Sequence, residues 1–132
     1  MKTLAIQTTE REEMIDITSQ IQKVVHQQTI VNGAAICFVP HTTAALTINE
    51  NADPDVRRDI IHKLQKEIPQ RDGYHHAEGN SDAHLKASLF GFSETVLVEC
   101  GRLVLGQWQA IYFCEFDGPR QRQVLVSVAG HG

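Results

Sequence analysis

Four of the seven histidines stand where their type and setting could do chemistry. His41 opens "HTTAALTINEN" (41–51). His75 and His76 lie in the polar stretch "RDGYHHAEGNS" (71–81), and His84 lies in "DAHLKASLF" (82–90). A neutral imidazole can ligate a metal or donate a hydrogen bond to an oxyanion. His41, His76 and His84 with one open position would suit a catalytic divalent metal, Mg or Zn. The spacing from His76 to His84 matches no standard zinc signature, and His41 is distant in sequence, so only the fold could assemble that trio. With Ser81 as helix cap, His84 occupies the third helical position. There the positive end of the helix disfavours imidazolium and attracts phosphate, and Lys86 adds charge nearby. The plainer alternative is that His84 packs over the loop.

Glu115 and Asp117 flank a turn beside Arg120 and Arg122. They form either a solvated ion-pair cluster or a charged site. In the second case the arginines hold phosphate oxygens and the acids hold Mg²⁺. Glu115 could also serve as base for a metal-activated water. In "HTTAALTINEN", Ala44, Leu46 and Ile48 share one face of a strand, and His41, Thr43, Thr47 and Asn49 share the other, running into Glu50 and Asn51. That polar row is expected to wall a site. Eight residues of straight strand put His41 and Asn49 roughly 26 Å apart. Either the strand bends or a neighbouring subunit brings one end close, which points to a site at an oligomer interface. Trp108 and Gln109 fall on opposite faces of their strand, and Trp108 alone reads as core.

The elements that must position these groups are legible from periodicity. Residues 3–8 and 13–17 read as short strands. Ser19 and Gln22 read as a capping box ahead of the apolar stripe Ile21, Val24 and Val25, in a helix ending near Gln28. "GAAICFV" (33–39) is continuously apolar and reads as a strand covered on both faces. Asp53 caps a helix that starts at Pro54, buries Val56, Ile60, Ile61, Leu64 and Ile68, and stops at Pro69. Asp82 reads as a further cap. Residues 94–100, 107–116 and 123–128 read as strands, with "DGPR" (117–120) joining the last two as a hairpin. Strands and helices do not alternate regularly. The expectation is a single α+β domain over 1–132, mainly antiparallel sheet with helices packed to one side.

Composition removes several function classes. The 132 residues carry a net charge of −4, with no basic run to track nucleic acid. The longest apolar run is too short to span a bilayer. The N-terminal stretch lacks the pattern of a signal peptide, so a cytoplasmic location is expected. Cys37, Cys100 and Cys114 form no C-x-x-C pair and read as buried thiols. There is no P-loop, no dinucleotide fingerprint, no G-x-S-x-G and no H-E-x-x-H.

"HTTAALTINENADPDV", "YHHAEGNSDAHLKASLFG" and "LGQWQAIYFCEFDGPRQRQVLV", in this order between Ile17 and Val128, resemble the YjbQ family, also called the secondary thiamine-phosphate synthase family. The resemblance implies a compact α+β fold, a homotrimer and a histidine-containing site near the subunit boundary. The family's histidines match His41, His76 and His84. Its Asn-Glu-Asn run matches Asn49 to Asn51, its Trp-Gln pair matches Trp108 and Gln109, and its acid in the following strand matches Glu115. Gln107 departs from the threonine usual before that pair. The implied activity is a weak thiamine-phosphate synthase reaction, in which a thiazole phosphate displaces pyrophosphate from a pyrimidine methyl diphosphate. On this reading His41, His84 and Glu115 are catalytic. Asn49, Glu50, Lys86, Gln109, Arg120 and Arg122 would contact the phosphorylated substrate, and a divalent metal would sit on His41, His76 and His84. The alternatives are a non-enzymatic trimeric module binding a metal or anion, and a metal-dependent hydrolase of a small phosphorylated molecule.

Overall fold

The structure, a computed structural model, describes residues 1–132. In chain order the elements are β1 (Lys2–Gln7), β2 (Glu13–Asp16), α1 (Thr18–His26), β3 (Asn32–Phe38), β4 (Ala44–Glu50), α2 (Pro54–Glu67), α3 (Ser81–Phe90), β5 (Ser93–Glu99), β6 (Arg102–Leu103), β7 (Gln109–Glu115) and β8 (Gln121–His131). They build two antiparallel sheets, one of five strands in the order β1-β8-β3-β5-β6 and one of three in the order β2-β7-β4. The fold is α+β, as expected. Alternation on each strand explains the layering. Leu46, Ile111 and Phe113 meet Cys37, Val124 and Val126 between the sheets, and Ile21, Val24 and Val25 of α1 close that core. Ala45, Ala110, Tyr112 and Cys114, on the opposite face of the small sheet, pack against α3 and α2. The small sheet is therefore the middle layer, and only α2 and α3 form the helical side.

Several local expectations are corrected. Ser19 and Gln22 form no capping box. Asp16 Oδ1 accepts from the Thr18 N–H instead, and the Gln22 side chain ties α1 to the backbone of Gly101 and Leu103. The strand at 33–39 is covered on one face only within the chain, because Ile36 and Phe38 are 43% and 46% exposed. "DGPR" is no hairpin: β7 and β8 lie in different sheets, so it carries the chain from one to the other, pinned by bonds between Thr8 and Arg120. Asp53 does cap α2, accepting from the Asp55 N–H at 2.9 Å, but no residue of α2 is fully buried. Its stripe is half-buried against the small sheet, steadied by Arg57 over the Tyr112 ring. Cys37 and Cys114 are buried, whereas Cys100 is exposed in a turn. No helix is long and apolar enough to cross a membrane.

Candidate functional site

The third helix is fixed by charge. Its cap is Asn80, so His84 is the fourth helical residue and not the third, and its N–H already meets the Asn80 carbonyl. Asp82, Ala83, Lys86 and Ala87 face inward and are buried. Asp82 receives both Arg11 Nη atoms at 3.0 and 3.2 Å. The Lys86 ammonium bridges Asp82 at 2.8 Å and Glu12 at 2.9 Å. Burial would raise the Asp82 pKa, but the bonds from Arg11 and Lys86 outweigh it and hold the group below the ordinary carboxylate range. Asp82 is thus an ion-pair anchor where sequence suggested a cap, and Lys86 is spent inside the protein.

His84, on the other side of this anchored helix, meets His76. The two rings stand edge to face, with centroids 5.5 Å apart. Tyr74, whose hydroxyl donates to the Pro69 carbonyl at 2.6 Å, lines the same pocket with Ser81 and Leu85. The pocket has a volume of about 400 Å³.

His41 lies elsewhere. It is not in a strand, because β4 begins at Ala44. Its Nε2 accepts the Gln123 N–H at 2.9 Å, just past Leu125, where the pairing of β3 with β8 ends. The imidazole replaces a missing strand carbonyl, which places the ring proton on Nδ1. Burial, and then the charge of Arg122 and Arg120, hold His41 below its ordinary pKa against the pull of Glu115. Glu115 is completely buried and forked by Arg122, with further bonds from the Thr8 hydroxyl at 2.8 Å and the Asp117 N–H at 3.1 Å. Arg122, 3% exposed, also donates to the Thr43 hydroxyl at 2.8 Å. Desolvation would raise the Glu115 pKa, but these bonds keep it below the usual range. The pair is neither a solvated cluster nor a free phosphate clamp. Arg120 is half-exposed and bonds Asp117 at 3.1 Å.

Two separate clusters result: His76 with His84, and His41 with Glu115 and Arg122. The cleft beside His41 shares no lining residue with the pocket of His76 and His84. No three or more His, Cys, Asp or Glu side chains converge in the chain to hold a metal, so the expected trio is not assembled within one copy.

The far end of β4 is separate again. Asn49 Oδ1 accepts from the Glu50 N–H, and the Glu50 carbonyl accepts from the Tyr112 hydroxyl at 3.0 Å. Gln109 Oε1 accepts from the Gly106 N–H at 2.8 Å, so this side chain folds back on its own turn. Trp108 sits in that turn, 54% exposed, and is not core. The polar row is divided: Thr43 holds Arg122, while Thr47 and Asn49 wall a groove under α2. Arg11, Glu12 and Tyr74 carry no local signal. Arg11 meets Asp82 across 71 positions of sequence.

Residues 2–131 match the family model described as UPF0047 protein YjbQ-like. The UPF0047 protein YugU of Bacillus subtilis is 50% identical over 131 residues, covering 98% of this chain and 99% of the relative. A UPF0047 protein of Methanocaldococcus jannaschii is 50% identical over 125 residues, covering 95% and 91%. The crystal structure of a yjbq/upf0047 family protein from Clostridium acetobutylicum superposes with a TM-score of 0.96 at 50% identity, covering 98% of this chain and all of that one. A conserved hypothetical protein of Thermus thermophilus gives 0.91 at 40% identity, covering 98% and 100%.

Proposed function

The chain belongs to the YjbQ-like UPF0047 family, and on that premise we propose that it is a transferase for a small phosphorylated molecule, of the thiamine-phosphate synthase type. The observation that carries this reading is the edge-to-face pair His76–His84 on a helix anchored by buried charge. In the proposed step a thiazole-phosphate nitrogen gives its electron pair to the methylene carbon of a pyrimidine methyl diphosphate. The C–N bond forms, the C–O bond breaks, and pyrophosphate leaves with the electron pair of the C–O bond. His76 and His84 donate hydrogen bonds to the departing oxygens, and the positive end of α3 adds to their pull. Arg120, half-exposed and paired with Asp117, would have to exchange that partner to meet an anion.

The other half-site comes from a second copy. Two apolar surfaces are uncovered: Ile36, Phe38 and Leu97 on the large sheet, and Leu85 and Leu89 on α3, the last 71% exposed. Leu85 adjoins His84, and Phe38 lies three positions before His41. Packing one surface on the other, head to tail, buries both and brings the half-sites together; a ring of three closes such an interface. Two imidazoles are too few to hold a catalytic divalent cation. His41 of the neighbouring copy, its Nε2 engaged by the Gln123 N–H, would offer its Nδ1–H as a third hydrogen-bond donor to the diphosphate.

A non-enzymatic anion-binding module is the second reading. It stands ahead of hydrolysis because both Glu115 oxygens are engaged, which leaves the chain without that base. The test supplies both substrates and Mg²⁺ to wild type and to folded His84→Ala. The transferase reading expects thiamine phosphate from wild type and at least about 100-fold less from the variant. Substrate binding without product from either protein would establish the module instead.

A further inference from the structure

The N-terminal cap of α3 breaks a local rule. An asparagine at this position ordinarily turns its side-chain oxygen onto an N–H of the first turn. Asn80 makes no such bond. Its Nδ2 donates instead to Asp117 Oδ2 at 2.8 Å, and its Oδ1 is buried without a partner. The opposite orientation of the amide would set Oδ1 against the carboxylate, so Asp117 fixes the sense of the group. A buried acceptor left unpaired is costly. Local choices of this kind gather at functional positions.

Asp117 stands between the two clusters. Its N–H donates to Glu115 Oε2, which Arg122 also binds. Its Oδ2 accepts from both Asn80 and Arg120, and its carbonyl accepts from Arg120 Nε at 3.0 Å. Beyond Asn80, the carbonyl of that residue accepts the N–H groups of Ala83 and His84. Three hydrogen bonds in series therefore join the Glu115 carboxylate to the backbone of His84 within one chain.

One oxygen serving two donors makes this link responsive. Arg120 is half-exposed, whereas the Asp117 side chain is 17% exposed and held from both sides. With Arg120 withdrawn, Oδ2 keeps only the Asn80 bond, now made by a carboxylate that has lost its bonded cation, and that bond tightens. We infer that Asn80 and Asp117 are positioning residues that carry the state of Arg120 to His84. The link is a property of the chain; its use in transfer, where an anion would draw Arg120 away and so adjust the imidazole, rests on the proposed reading.

The reporters are the ¹H–¹⁵N signals of the Asn80 side-chain amide and of the His84 backbone and ring, recorded on the full chain without ligand. Arg120→Ala stands for Arg120 withdrawn. It is expected to move the Asn80 amide protons downfield and to shift His84. Asn80→Ser keeps a residue able to cap α3 but is too short to replace the bond to Asp117. In that background Arg120→Ala should leave His84 unmoved. Asp117→Ala cuts the same bond from the other side, so it should also silence the response, and combining it with Asn80→Ser should change His84 no further. A His84 signal indifferent to Arg120→Ala in the otherwise unchanged chain would overturn the inference. So would an equal shift with and without Asn80, which would mean that the charge is felt through space. Neither Asn80 nor Arg120 is fully buried, so that pair decides the matter even if Asp117→Ala fails to fold. A relayed shift in a protein that makes no thiamine phosphate would keep the link and remove its use in transfer; turnover without the relay would do the reverse.

Discussion

Glu115 and Arg122 show how a residue pattern that suggests catalysis can be satisfied by structure. Two carboxylates and two arginines around a turn fit a phosphate site on paper, yet Glu115 is fully buried and bound by Arg122, Thr8 and Asp117. Removing one partner would strand a buried charge, so Glu115→Ala is expected to cost roughly 3–5 kcal/mol, measured by urea unfolding. The pair also sets a pH dependence. The folded pKa values of Glu115 and Asp82 lie below their unfolded values. Their stabilisation is complete above the ordinary carboxylate range and is lost as pH falls through the folded values. Stability should therefore drop steeply below about pH 4, and the drop should be shallower in Glu115→Gln, where one of the two groups no longer titrates. A slope unchanged by Glu115→Gln would show that other groups dominate acid unfolding. The identity of the candidate residues was legible in sequence; their partners were not. Lys86 could be placed on a helix, but that it turns inward to Asp82 and Glu12 depends on contacts across 74 positions.

At the scale of elements, the signals that held are local ones. Asp53 followed by Pro54 announces the start of α2, and the Asp53 carboxylate accepts from the Asp55 N–H. Asp53→Ala is expected to destabilise the protein by about 1 kcal/mol, read as a shift in the urea midpoint at constant slope. A shift near zero would mean that α2, with no fully buried residue, is marginal to global stability. The signals that failed are those where tertiary geometry overrides local pattern. Gln22 fits a capping box by spacing, but its side chain is drawn to Gly101 and Leu103. "DGPR" has hairpin composition, but the strands it joins belong to opposite sheets. His41 fits the start of a strand by alternation, but it leaves the strand to cap the exposed N–H of Gln123.

At the scale of the whole molecule, the apolar run at 33–39 gives the most informative mismatch. Its composition asks for cover on both faces, and one chain covers only one, leaving Ile36 and Phe38 exposed. On the proposed function, a second copy would cover the exposed face and join the two half-sites at once. Ile36→Asp with Phe38→Asp is expected to yield a folded monomer by sedimentation, without transferase activity; an unchanged sedimentation coefficient would locate the interface elsewhere.

The most direct measurement is subunit complementation. His41→Ala and His84→Ala chains would be prepared alone and co-expressed in equal amounts, and each preparation assayed for thiamine-phosphate formation. With a head-to-tail site drawing His41 from one copy and His84 from the next, each variant alone is inactive. Random mixing then restores about a quarter of the interfaces, and with them about a quarter of wild-type activity. A co-expressed preparation as inactive as its parents would contradict a site shared between copies.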